Sequence, residues 1–176
     1  MTPLRITLFE VPAAADAPFL AAWDGAHRPA EAAGPVTLLR ALRDDVALRF
    51  VALGPAAWLL PALPAAGRGG RYDPVGEHGT PDGDGGVLEV AAYPAAPGLV
   101  AAWDAVQRTL GTHRGHLGAR LYSAVEGEPA AALALVALTR WSSPLMVARA
   151  RREPAVRDAE QTLPAPAAGA LYLPVR

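Results

Sequence analysis

The chain contains no cysteine, no lysine and no asparagine in its 176 residues. Without cysteine there is no disulfide, no thiolate nucleophile and no zinc–thiolate site. Without lysine, all 16 basic residues are arginine, which excludes Schiff-base chemistry. Any mechanism that needs an asparagine side chain is excluded too. Serine is confined to Ser123, Ser142 and Ser143, none in a Gly-x-Ser-x-Gly turn, so a nucleophilic triad has no support. No apolar run approaches the roughly 18 residues of a membrane span. The opening Met1-Thr2-Pro3-Leu4-Arg5 lacks the basic-then-apolar order of a signal peptide. A soluble, cytoplasmic chain is the expectation. The net charge of −1 gives no reason to expect nucleic acid or a membrane surface as partner.

What is present is apolar and repetitive. Hydrophobic residues make up 52% and charged residues 19% of the sequence, ample for a packed core. Leu20-Ala21-Ala22-Trp23-Asp24 returns as Val100-Ala101-Ala102-Trp103-Asp104. Two copies at this spacing point to a duplicated small domain and not to a solenoid, whose units are shorter and more numerous. The glycine- and acid-rich stretch 76–86 is the linker candidate. The expected organisation is residues 1–78, a linker at 79–86, and residues 87–176.

In the first copy, residues 5–11 alternate as a strand. Asp16 and Pro18 open a helix running to about Ala33, with Leu20, Trp23 and Ala26 toward the sheet. Residues 36–43 and 46–53 form a hairpin through Asp44-Asp45. Pro55, Pro61 and Pro64 argue against a full helix at 55–66, since each interior proline costs about 3 kcal/mol. A short strand at 71–75 closes the copy. The second copy repeats the order: a strand at 87–93, a helix at 97–110, and a hairpin of 117–124 with 131–139 through Glu126-Gly127-Glu128-Pro129. A helix from Ser143-Pro144 to about Glu160 and a strand at 170–175 complete it. Each half therefore reads strand–helix–strand–strand–helix–strand, the ferredoxin-like order. The fold class is α+β.

Several residues of the second copy now carry a likeness. The helix with Trp103 is followed by Gly115-His116-Leu117-Gly118-Ala119-Arg120-Leu121-Tyr122, and the next strand leads to Trp141-Ser142-Ser143. In these features the chain resembles the antibiotic biosynthesis monooxygenase family of dimeric α+β barrel proteins. The first copy matches more loosely through Trp23, Gly34 and Trp58. The resemblance implies two ferredoxin-like βαββαβ half-barrels that pair within one chain as a pseudo-dimeric α+β barrel, the linker raising their effective concentration. Further homodimerisation is optional.

The resemblance also implies an activity: cofactor-independent oxygenation of an aromatic polyketide intermediate such as an anthrone. The partners are then a small aromatic substrate and molecular oxygen, and no cofactor is expected. Deprotonation makes such a substrate its own reductant, so the protein supplies a dry aromatic pocket and a base. A polyketide cyclase on the same fold and a non-catalytic small-molecule-binding or scaffold protein are the alternatives, because fold alone does not choose. A haem role would call for a histidine on the second helix of a half, and neither segment has one.

Trp141 stands where the family places a pocket tryptophan, and Trp58 is its counterpart in the first copy. Trp23 and Trp103 lie on the sheet-facing stripes of their helices, where they pack the core or floor a cavity. The family's oxygenases pair such tryptophans with asparagines, absent here. His113 and His116 are candidate general bases, since an imidazole titrates near neutral pH. As a metal pair they lack further ligands. Arg120 and Tyr122 share one strand face by period two and are candidates to orient a phenolate, and Arg40 aligns with Tyr122. Arg149, Arg151 and Arg152 read as a solvated helix face. His78 falls in the linker and reads as solvated.

Overall fold

A computed structural model describes residues 2–27, 34–81, 85–125 and 133–175. It contains eight strands and four α-helices among those residues. They are β1 (Leu4–Glu10), α1 (Asp16–His27), β2 (Thr37–Ala41), β3 (Leu48–Pro55), β4 (Ala66–Gly79), β5 (Val87–Tyr93), α2 (Leu99–Leu110), β6 (His116–Ala124), β7 (Leu135–Trp141), α3 (Pro144–Ala150), α4 (Pro154–Glu160) and β8 (Ala168–Pro174). The expected continuation of α1 to Ala33, the turn Glu126–Pro129, the start of a strand at 131 and the centre of the linker lie outside the described residues.

The chain divides into two compact units. One holds the chain up to Asp73, the stretch that starts at Ala124 and the stretch from Tyr172. The other holds Pro74–Ser123 and Leu133–Leu171. Boundaries fall inside three strands, β4, β6 and β8. In the first unit, β1 pairs antiparallel with β3 and with β4, β3 pairs with β2, and β2 with the end of β8. In the second, β7 lies between β5 and β6. Each half follows the order fourth, first, third, second, as a ferredoxin-like half requires.

The first unit buries an aromatic core. Phe9, Phe19, Trp23, Phe50 and Trp58 pack with Val11, Leu38 and Ala52. Phe19 and Phe50 stand 4.7 Å apart, and Trp23 meets Trp58 edge-on at 6.0 Å, spacings at which aromatic rings attract. No helix forms between β3 and β4 among the described residues. This corrects the expected second helix of the first half: Pro61 and Pro64 forbid it, and Trp58 fills its place. The first half is thus βαβββ-like at this point, and the expected βαββαβ order holds only in the second.

The second unit has two core clusters. Val87, Val106, Leu110, Trp141, Val147, Ala150 and Val156 make one. Tyr93, Leu99, Trp103, Ala119, Leu121, Leu135 and Ala137 make the other. On α2 the buried residues are Leu99, Trp103, Val106, Gln107 and Leu110, the three-and-four spacing of one helical face.

Other boundaries differ from expectation. The helix expected over 143–160 is two. Pro154 sits in the first turn of α4, and the Glu153 before it is extended at ψ 131°, as a residue preceding proline prefers. The short strand expected at 71–75 is the fourteen-residue β4, which absorbs residues 76–79 of the linker stretch. No helix among the described residues is long and apolar enough to cross a membrane.

Candidate functional site

A groove of about 480 Å3 opens in the second unit between α2, the end of β4 and the start of β7. Helix α2 supplies Leu99, Val100, Ala101, Trp103 and Asp104, β4 supplies Val75 and Gly76, and Leu135 and Ala96 complete an apolar lining. Its size falls within the roughly 300–1,000 Å3 of small-molecule sites. Trp103 is 2% exposed, fixed from below by Leu99, Leu121 and Ala137. Its Nε1 is buried without a hydrogen-bond partner among the described residues. Gly76 permits the close approach of β4: a Cβ there would stand 2.7 Å from the Trp103 ring.

Two residues along β4, on the same face by strand alternation, stands His78. The burial of Tyr72, Pro74, Gly76 and His78 against exposed residues between them shows that face directly. The His78 ring meets Trp103 edge-on at 5.5 Å and 67°, and its Nε2 lies 2.6 Å from Asp104 Oδ1. Arg108, one turn along α2, binds the other carboxylate oxygen. The His78 hydrogen bond, with the charge of Arg108, holds the Asp104 carboxyl below its ordinary range. Asp104 is therefore ionised at neutral pH and can only accept. Nε2 of His78 must donate, which leaves the lone pair of the neutral ring on Nδ1. His78 thus corrects its reading as a solvated linker residue. The signal was present: the alternation of Tyr72 and Pro74 continues through Gly76 to His78, but glycine and acid disguise it.

The expected site residues fall into separate places. His116 is the first residue of β6, and a bulge at Leu117 pairs His116 with Trp141 while Gly118 pairs with Arg140. A bulge resets which side of a strand a residue faces. His116 therefore stands edge-on to Trp141 at 5.2 Å, while Arg120 and Tyr122 face the opposite side from Ala119 and Leu121. Gly115, with φ 93°, makes the turn before it. His116 also binds Gln107 Oε1 at 3.1 Å. Burial is the main cause holding its pKa below the ordinary value, so its neutral form is favoured.

Trp141 ends β7, buried, and donates to Glu89 Oε2 at 3.2 Å. Glu89 also binds Arg151, which reaches Glu160 Oε1 at 3.2 Å. Arg151, on the exposed face with Arg149 and Arg152, is thereby tied to the sheet. Tyr93, buried near both carboxylates, has its pKa pushed up to about 12. His113 faces a different hollow of about 320 Å3 with Thr112, Arg114, Met146 and Arg149, its Nδ1 3.3 Å from Glu153. Arg120 donates to Glu77 Oε2 at 2.7 Å, and Tyr122 is buried.

In the first unit, Trp23 and Trp58 belong to the closed aromatic core. Arg40 lies 2.8 Å from Asp16, whose carboxylate also receives Nε of buried Arg49 at 2.9 Å. Of the expected residues, then, only Trp103 lines the 480 Å3 groove. Among the described residues no three His, Asp or Glu side chains are placed to hold a metal ion.

The sequence matches no family profile and no curated protein. The fold, however, is shared with solved structures. An anthrone oxidase-like protein superposes with a TM-score of 0.69 at 12% identity, over 99% of this chain and 91% of that one. A ferredoxin-fold protein related to antibiotic biosynthesis monooxygenases from Listeria monocytogenes gives 0.60 at 11% identity, over 99% and 95%. A haem-degrading enzyme from Listeria monocytogenes gives 0.53 at 13% identity, over 97% and 98%. In fold the chain resembles the antibiotic biosynthesis monooxygenase-related proteins.

Proposed function

We propose that the chain is a cofactor-independent oxygenase of an electron-rich aromatic molecule of the anthrone or phenol type, and that the second unit carries the chemistry. The observation behind this reading is the groove of the second unit, apolar along Val75 and Val100, floored by buried Trp103 and edged by the carboxylate of Asp104. Its size and apolar lining suit a small aromatic molecule. The chain's likeness in fold to an anthrone oxidase-like protein supports the substrate class.

The reaction needs little from the protein. An anthrone loses a proton, and the resulting carbanion-like species passes an electron to oxygen. The two radicals combine at the methylene carbon. Cleavage of the O–O bond then leaves one oxygen atom as a carbonyl and releases the other, with the two methylene hydrogens, as water. The substrate supplies all four electrons. The apolar lining receives the ring, over the buried indole of Trp103. The haem-degrading likeness gives no step here, because α2, α3 and α4 carry no histidine to meet an iron.

Oxygen uptake with anthrone tests the reading. The chain should convert anthrone to anthraquinone with one oxygen consumed per turnover, and Trp103→Ala should slow this by about tenfold or more, equivalent to some 1.4 kcal/mol. Anthraquinone formed no faster than in buffer alone would remove the oxygenase reading.

A further inference from the structure

We infer that His78, oriented through Nε2 by Asp104, is the base that takes the hydroxyl proton of a phenol- or enol-type aromatic substrate seated against Trp103. The inference rests on the oxygenase reading for why that proton has to leave. It narrows the substrate class to rings bearing an acidic hydroxyl at the end nearest Asp104.

The geometry has three parts. Asp104 lines the groove, and His78, beside the lining and not part of it, lies 2.6 Å from Asp104 and meets Trp103 edge-on, so the imidazole borders the groove at its polar edge. The His78 side chain is 22% exposed, open enough to meet a hydroxyl and shielded enough to hold one orientation. The Nε2–Asp104 bond leaves Nδ1 as acceptor. When the substrate O–H bond breaks, its proton forms an N–H bond at Nδ1, giving a phenolate and an imidazolium. The adjacent carboxylate balances the new positive charge, as an orienting acid does in a nucleophile–base–acid relay. No electron moves in this step.

The other groups fit the role less well. Asp104 is itself a weaker base, because His78 and Arg108 hold its pKa down. His116 spends a ring nitrogen on Gln107 and faces Trp141. His113 belongs to the Glu153 hollow. The charged and titratable groups around His78 are Asp104 and Arg108 on α2 and His116 on β6.

The test separates the proton step from oxygen chemistry. 2-Hydroxyanthraquinone is a hydroxyl-bearing ring system already at the quinone level, and its visible absorption reports ionisation. Titrated anaerobically into the full chain at a pH where the free dye is neutral, it should bind as the anion. His78→Gln, which can still donate to Asp104, should bind the dye neutral and slow anthrone oxidation by about a hundredfold or more. Asp104→Asn, which removes the carboxylate that orients Nε2, should bind the dye with a smaller ionised fraction and slow turnover by about tenfold or more. A residue that only supported the fold would leave the ionised fraction of the bound dye unchanged. Dye that fails to bind, binds neutral, or ionises equally in His78→Gln overturns the inference. An unchanged ionised fraction of bound dye in Asp104→Asn overturns the orienting role. Dye ionised by the native chain with no oxygen uptake from anthrone would leave the base standing and remove the oxygenase reading.

Discussion

The Ala-Ala-Trp-Asp stretch occurs once in each unit, in opposite surroundings. Trp23 meets an edge-on ring at 6.0 Å and 66°, and that ring is Trp58. Trp103 meets an edge-on ring at 5.5 Å and 67°, and that ring is His78. One geometry seals a core with a second indole, and the other holds a titratable imidazole beside a groove. The aspartates diverge in the same way. Asp24 is exposed with no ion pair among the described residues, while Asp104 holds both His78 and Arg108. The same short stretch stands on a helix in each unit, and the ring across from its tryptophan differs: an indole inside a core in one, an imidazole beside a groove in the other.

The contrast can be broken in three ways. The largest effect is expected in the sealed unit. Trp58→Ala removes an indole that is 1% exposed and should cost about 3–5 kcal/mol, read from urea unfolding. His78→Ala, at a part-exposed ring, should cost under about 1 kcal/mol by the same measurement. If the two costs came out equal, the division into a sealed and an open copy would fail.

Next is the ion cluster of the first unit. Arg49 is 2% exposed and binds Asp16 at 2.6 Å and Asp44 at 2.9 Å. Arg49→Met should cost about 2 kcal/mol, below the roughly 3–5 expected for a fully buried pair, because Arg40 still reaches Asp16. The hydrogen bond from Arg49 is the main cause lowering the Asp16 pKa. Its stabilisation is therefore complete above the ordinary carboxylate value of about 3.9 and is lost as pH falls through the depressed one. Arg49→Met should flatten the acid limb of a stability profile, and an unchanged limb would show that the cluster is ornamental.

The smallest effect belongs to His116. Its folded pKa is lowered by burial, so the unfolded chain binds the extra proton first. Stability should begin to fall as pH drops below about 6.5, and His116→Gln should remove that early decline from thermal unfolding curves. An identical decline in the variant would mean that another group titrates there.

Much of this fold was legible because it rests on local rules. The strand at Val87–Tyr93, the stripe on α2 and the hairpin through Asp44-Asp45 follow from alternation, helical spacing and turn chemistry. The absence of a helix after β3 was written in Pro55, Pro61 and Pro64. The break between α3 and α4 was written in Pro154, though the helical pattern on either side concealed it. The site was harder to read. His78 lies on a strand whose glycines look like linker, and its role depends on Asp104, twenty-six residues away. His116 reads with His113 as a residue ahead of the strand expected from 117, yet it is the first residue of β6 and is set beside Trp141 by a bulge. Whether a residue bulges depends on how the partner strand pairs, which one strand's sequence does not contain.

The bulge at Leu117 also changes what evolution can do with this strand. A one-residue deletion in a regular strand turns every residue on one side of it to the opposite face, so sheets tolerate changes of length poorly. Here His116 already occupies the place next to Gly118 in the pairing with β7, and Leu117 is the surplus residue, 39% exposed. Losing it would restore a regular ladder with β7, but the Leu117 carbonyl accepts the Thr80 N–H at 2.9 Å, just past the end of β4. The extra residue therefore serves two neighbours at once: it lets His116 stand against Trp141 on one side and holds the chain after β4 on the other.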